Sequence, residues 1–153
     1  MRTLVAAAAA TTALLAAGSA HASTSKADFI TRGDALCTQA IRELAPIRRR
    51  AEAAKKLPEY RQWAAAASIW TDQIALQVRF NRKLRAIGAP PGDATARSLL
   101  AQLDQGVVLA RRVRDAFARA RIAELASAVP AYVQFTLRLN RRIKAYGFRV
   151  CGS

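Results

Sequence analysis

Few side chains in this sequence are of types that do chemistry, and their spacing says more than their number. One histidine and ten carboxylates stand in 153 residues against 25 lysines and arginines, for a formal net charge of +15. His21 is the sole candidate for an imidazole base or ring-nitrogen metal ligand, and it lies between Ala20 and Ala22 at the end of an apolar N-terminal stretch. There it reads as a spacer in an export cleavage site, so the rest of the chain is left without a His base or a Ser–His or Cys–His pair. The carboxylates Asp28, Asp34, Glu43, Glu52, Glu59, Asp72, Asp93, Asp104, Asp115 and Glu124 are dispersed, and most have a cation within one helical turn. They read as surface ion pairs and caps rather than an acid–base dyad. The Glu-x-x-His signature of di-metal bundles is absent from the sequence, as are a phosphate loop, a nucleophile elbow and a dinucleotide fingerprint. The expectation is a non-enzymatic protein with no cofactor and no metal.

Cys37 and Cys151 are the only cysteines. They form no C-x-x-C pair, and no histidine lies near enough to activate a thiolate, so redox chemistry is not indicated. An even count in an exported chain points instead to a structural disulfide. Export is itself legible. Arg2 is the only charge in the first 25 residues, and an apolar run from Leu4 to Ala17 follows it, ending in small residues with Ala20 and Ala22 in an A-x-A arrangement. That is the pattern of a secretory signal cleaved before Ser23. The run is shorter than the roughly 20 apolar residues a membrane span needs. No cysteine follows it closely, so the product is expected to carry no lipid anchor. The expected organisation is a signal peptide over residues 1–22 and one domain over residues 23–153, whose net charge falls to +14 with the loss of Arg2.

The elements that must position these residues are helices. Phe29, Ile30, Leu36, Cys37, Ile41, Leu44 and Ile47 recur at three- and four-residue steps, one face of a first helix that runs from Ala27 to near Lys56 with Pro46 expected to kink it. A second helix is expected from Pro58 to about Ala86, with Trp63, Trp70, Ile74, Leu84 and Ile87 on its apolar side. Gly88 closes it, and Ala89-Pro90-Pro91-Gly92 is the clearest loop in the chain. Asp93 is a natural N-cap for a third helix carrying Leu99, Leu103, Val107, Ala110, Val113 and Phe117. The boundary after it is open: Pro130 fits either the first turn of a helix capped by Ser127 or the interior of one begun near Ile122. The fourth helix carries Leu125, Val129, Tyr132, Phe135, Leu139, Ile143 and Tyr146, and Gly147 ends it, with Phe148 free to pack back. Four helices with short turns predict an all-α, antiparallel up-down four-helix bundle. Because 52% of the chain is hydrophobic but only 7% aromatic, the core must be built largely from small side chains.

In such a bundle the start of the first helix and the end of the fourth lie together, which brings Cys37 to Cys151 and closes the fold with one disulfide. Gly33, one turn before Cys37, is expected to leave room for the tail from Phe148 to Cys151. The segments VRFNRKLRAIG (78–88) and LRLNRRIKAYG (137–147) match without a gap at Arg, Asn, Arg, Ala and Gly, compatible with a duplicated helical hairpin or with two arginine-rich helix ends. Asn81 and Asn140 occupy the same place in both, near the inward edge of their helices, where they fit a hydrogen bond across the bundle that fixes its register or, if a cavity opens between the helices, a ligand-orienting role.

The opening ADFITRGDALC (Ala27 to Cys37) and the ending AYGFRVC (Ala145 to Cys151), with a Pro-Pro loop in mid-chain, resemble a group of small exported helical proteins from actinobacteria, many of them lipid-anchored. The resemblance implies a bundle fold and the end-to-end disulfide, and it implies no activity. This chain departs from the anchored members in lacking the lipidation cysteine.

The cations cluster at helix ends and along the third helix. Arg48, Arg49 and Arg50 end the first helix, Arg82 and Arg85 the second, and Arg141 and Arg142 the fourth; these are the candidate anion-binding residues. Antiparallel packing puts the end of the second helix beside the end of the fourth and away from the end of the first, which predicts basic zones at opposite ends, attractive to an acidic cell-envelope polymer or an anionic membrane surface. Equally, cations belong at helix C-termini, and arginine stems cover alanine-rich surface, so the same residues also fit a merely solvating role. Sequence-specific nucleic-acid binding is not indicated, because no recognition motif is present and no aromatics are interleaved with the basic runs.

Overall fold

Ser25 opens the first helix by accepting the backbone N–H of Asp28 at 3.1 Å on its hydroxyl. The computed structural model describes residues 24–152. Among these it forms four helices and no strand: α1 (Lys26–Ala54), α2 (Glu59–Ile87), α3 (Ala94–Ala118) and α4 (Ile122–Tyr146). The expected signal peptide, residues 1–22, lies outside the described residues.

The caps follow the sequence. Asp93 accepts the Ala96 N–H at 2.9 Å and starts α3. Gly88 and Gly147 end α2 and α4 with φ of +81° and +121°, a region that favours glycine. The open boundary resolves in favour of the longer helix: α4 begins at Ile122 and carries Pro130 inside it, while the Ser127 hydroxyl donates back to the Glu124 carbonyl instead of capping. Ala120, at φ +48°, makes the turn between α3 and α4 without a glycine. The assigned α1 helix likewise runs on through Pro46.

The helices pack in chain order, α1 on α2, α2 on α3 and α3 on α4, as an antiparallel up-down bundle. The α3 helix is central. It buries Ala96, Leu99, Leu103, Gly106, Val107, Ala110, Val113 and Ala116, a stripe at helical spacing in which small residues let its neighbours approach. By contrast α1 fully buries only Phe29 and Gly33. The main core joins Phe29, Leu84, Ile87, Leu99, Leu103, Phe135, Leu139, Tyr146, Phe148 and Cys151, at the end where α1 starts and α4 stops. Toward the other end the packing rests on half-buried aromatic pairs, Trp70 on Tyr132 with ring centres 5.0 Å apart and Trp63 on Phe117 at 5.8 Å.

The α1 and α4 backbones do not approach closely, and the two helices meet through side chains at one end, Phe29 edge-on to Tyr146 with ring centres 6.1 Å apart, so the rest of the seam between them would be unclosed. The C-terminal tail closes one end of it. Cys37 and Cys151 form a disulfide with their Cα atoms 5.4 Å apart, as the topology requires. A loop of 114 residues closed in this way contributes on the order of 4–5 kcal/mol in the chain-entropy model.

Candidate functional site

The tail is held by α1 through more than the disulfide. Asp34, three residues before Cys37, accepts the backbone N–H groups of Arg149 at 2.9 Å, Val150 at 2.9 Å and Cys151 at 3.0 Å. Burial pushes the Asp34 carboxyl upward, but these three N–H donors and the nearby Arg149 charge outweigh it and hold the group below the ordinary aspartate value. Gly33 lies beneath the buried Phe148 ring: a Cβ there would be 3.2 Å from Cζ and nearer still to Cε1. Phe148 in turn packs edge-on to Phe29, at 5.7 Å between ring centres.

A second tie joins the loop before α3 to the end of α4. The Tyr146 hydroxyl donates to Asp93 at 2.6 Å, and the Lys26 ammonium sits 4.4 Å from the Tyr146 ring centre. The Tyr146 hydroxyl, with the Ala96 N–H, holds Asp93 below its ordinary value despite burial; burial and the Asp93 charge raise Tyr146. Every one of these contacts stabilises structure. Among the described residues no group of three or more His, Cys, Asp or Glu side chains converges to hold a metal. No described helix is long and apolar enough to cross a membrane.

The candidate arginines are not gathered into one patch. Arg50 pairs with Asp72 and also reaches Ser68, which ties α1 to α2, whereas Arg48 and Arg49 have no carboxylate partner among the described residues. Arg85 pairs with Asp104 and donates to the Leu100 carbonyl at 3.0 Å across the α2–α3 seam. Arg142 donates to the Ser98 hydroxyl at 3.2 Å across the α3–α4 seam. The expectation that the ends of the second and fourth helices form a common basic zone therefore needs refinement: α3 stands between Arg82/Arg85 and Arg141/Arg142, and each pair borders a different seam. A cleft of about 390 Å³ between α2 and α3 instead brings Arg111, on α3, to Arg82 and Arg85, with Asp104 and Asn81 also in its lining.

Seven carboxylates of the described chain are in ion pairs, with Arg32, Arg50, Lys55, Arg79, Arg85, Arg114 and Arg121. Asp34 and Asp93 are occupied as above. The remaining cations, among them Arg48, Arg49, Arg82, Arg111, Arg112, Arg138 and Arg141, make no ion pair with a carboxylate among the described residues.

The bundle also has an internal chamber of about 190 Å³ between its helices. It opens toward a groove of about 260 Å³ along the α1–α4 seam, and the disulfide stands where the two meet. Asn81 lines the chamber, 4% exposed, and neither its amide nitrogen nor its oxygen has a hydrogen-bond partner. The expected hydrogen bond from Asn81 across the bundle is thus not formed. Asn140 is only half-buried, and its backbone lies against Gly152 of the tail. The chain matches no family model, no curated protein and no solved structure.

Sequence reasoning placed the cysteines, Gly33 and the Asp93 cap. It missed the role of Asp34, although a carboxylate one turn before Cys37 on the tail-facing side of the helix was a usable signal. The Tyr146–Asp93 bond was signalled only by a polar group at a core position.

Proposed function

We propose that this chain is an exported protein that acts by binding and not by catalysis, its ligand an acidic polymer of the cell envelope held on the arginine-rich faces of the bundle. The observation that carries the reading is the division of charge: nearly all carboxylates are consumed by ion pairs or caps, while arginines on every helix remain without one. An unpaired guanidinium is a bidentate donor for phosphate or carboxylate, and a surface carrying many of one sign concentrates polyanions near it. The disulfide is in keeping with an oxidising compartment, as is the signal pattern of residues 1–22. Residues 23–153 would then be the mature, unanchored protein.

The test is a four-site charge reversal at arginines that hold no carboxylate, Arg82→Glu, Arg111→Glu, Arg112→Glu and Arg141→Glu. The wild type should be retained on immobilised teichoic acid at low salt and released as salt rises, and the variant should pass through unretained with its helicity intact. Equal retention of a folded variant would refute the reading. Tighter retention on duplex DNA than on teichoic acid would move the function to nucleic acid.

A further inference from the structure

The chamber between the helices is built from apolar side chains, Phe29, Leu99, Leu103, Phe135 and Leu139 prominent among them, and no charged residue lines it. Into this lining the sequence sets Asn81, with Gln77, Thr136 and Asn140 as further uncharged polar groups. A buried amide with neither atom bonded has lost its hydration without replacement, a penalty that an apolar residue of similar shape does not carry. The neighbouring Gln77 also has a buried side-chain oxygen without a partner. Gly106 keeps this corner open: a Cβ there would stand 3.0 Å from the Gln77 amide nitrogen and 3.2 Å from the Phe135 ring.

We propose that the chamber is a binding site for a small uncharged amphiphile, a single ring or short chain bearing one group that both donates and accepts a hydrogen bond, and that Asn81 recognises this group. Size and polarity select the class. A cavity of about 150 Å³ admits benzene, so one of about 190 Å³ takes a ring with a substituent but not a polymer segment. With no cation in the lining, an anionic head would be desolvated without compensation, whereas a hydroxyl or carboxamide would satisfy the Asn81 oxygen and nitrogen together. The groove along the α1–α4 seam, beyond the Phe29–Tyr146 contact, supplies the way in, past Cys37, Phe80 and Tyr132, which line both groove and chamber. Asn81 also lines the α2–α3 cleft that holds Arg82, Arg85 and Arg111, but no cation lines the chamber, so the proposal does not rest on the basic surface and would survive its failure.

The experiment titrates the disulfide-bonded protein with 4-ethylphenol and with ethylbenzene, following the Asn81 side-chain amide by NMR and affinity by calorimetry. We expect 4-ethylphenol to shift the Asn81 amide and to bind about tenfold more tightly than ethylbenzene, the worth of roughly one net hydrogen bond. In Asn81→Leu that preference should vanish. No binding of either probe at millimolar concentration would overturn the proposal, as would equal affinities with Asn81 unmoved. A shift of Asn81 by inorganic phosphate but not by 4-ethylphenol would also overturn it, by assigning the residue to the outer cleft with Arg82 and Arg111. The wild-type titration decides the matter even where the leucine variant fails to fold.

Discussion

Asp34 accepts the backbone N–H of Cys151 at 3.0 Å, although 117 positions separate them in the chain. The carboxylate and the disulfide one turn further along the same helix act on the same residue, so the tail is fixed at a charged hydrogen bond and at a covalent bond. Together they close the seam that α1 and α4 leave open.

Removing the carboxylate should loosen the tail in a pH-dependent way. The folded-state pKa of Asp34 is depressed, so its contribution to stability is fully present above the unfolded value near 4 and is lost as pH falls through the lower folded value. Asp34→Ala should cost about 1–3 kcal/mol at neutral pH, for N–H groups left without an acceptor. Melting temperature measured from pH 7 down to pH 2 should fall more steeply for the wild type than for Asp34→Asn. Parallel curves would show that Asp34 does not titrate with folding.

Reducing or deleting the disulfide should have a larger effect. Cys37→Ser with Cys151→Ser is expected to lose on the order of 4–5 kcal/mol by the loop-entropy argument, a large part of a typical total of roughly 5–15 kcal/mol. Urea midpoints of the oxidised and double-serine proteins measure it. A shift below about 1 kcal/mol would mean that Asp34 and the aromatic packing alone hold the tail.

Gly33→Ala separates helix propensity from packing. In an exposed helix the change gains about 1 kcal/mol. Here the new methyl meets the Phe148 ring, itself wedged against Phe29, and overpacking of this kind costs about 1–3 kcal/mol. The net effect should be a lower melting temperature. A rise would mean that the ring turns aside at no cost.

Much of the fold was legible because it rests on local chemistry. Alternation at three and four residues located the helices, and Asp93, Gly88 and Gly147 marked their ends. Where two local signals competed, the sequence left the matter open: Ser127 and Pro130 offered a start to α4, but the apolar positions from Leu125 onward gained more by continuing one helix back to Ile122. What stayed hidden depends on which helices touch. The periodicity of α2 and α4 is the same whether they are neighbours or lie on either side of α3, so the separation of Arg82/Arg85 from Arg141/Arg142 is not encoded locally. The position of Asn81 predicted burial correctly, but its lack of a partner is a property of the space between helices.

Asn81→Leu distinguishes a binding residue from a register pin. Replacing a buried, unpartnered amide by an isosteric apolar group should stabilise the empty protein by about 1–3 kcal/mol, seen as a higher urea midpoint. A residue that fixed register through a cross-bundle bond would lower the midpoint on the same change.

Binding of the oxidised protein to isolated cell walls tests the central claim most directly. Walls that retain their acidic polymers should sediment the protein at low salt and release it at high salt, and walls stripped of those polymers should leave it in the supernatant. Equal sedimentation with stripped and intact walls, or none with either, would contradict the account.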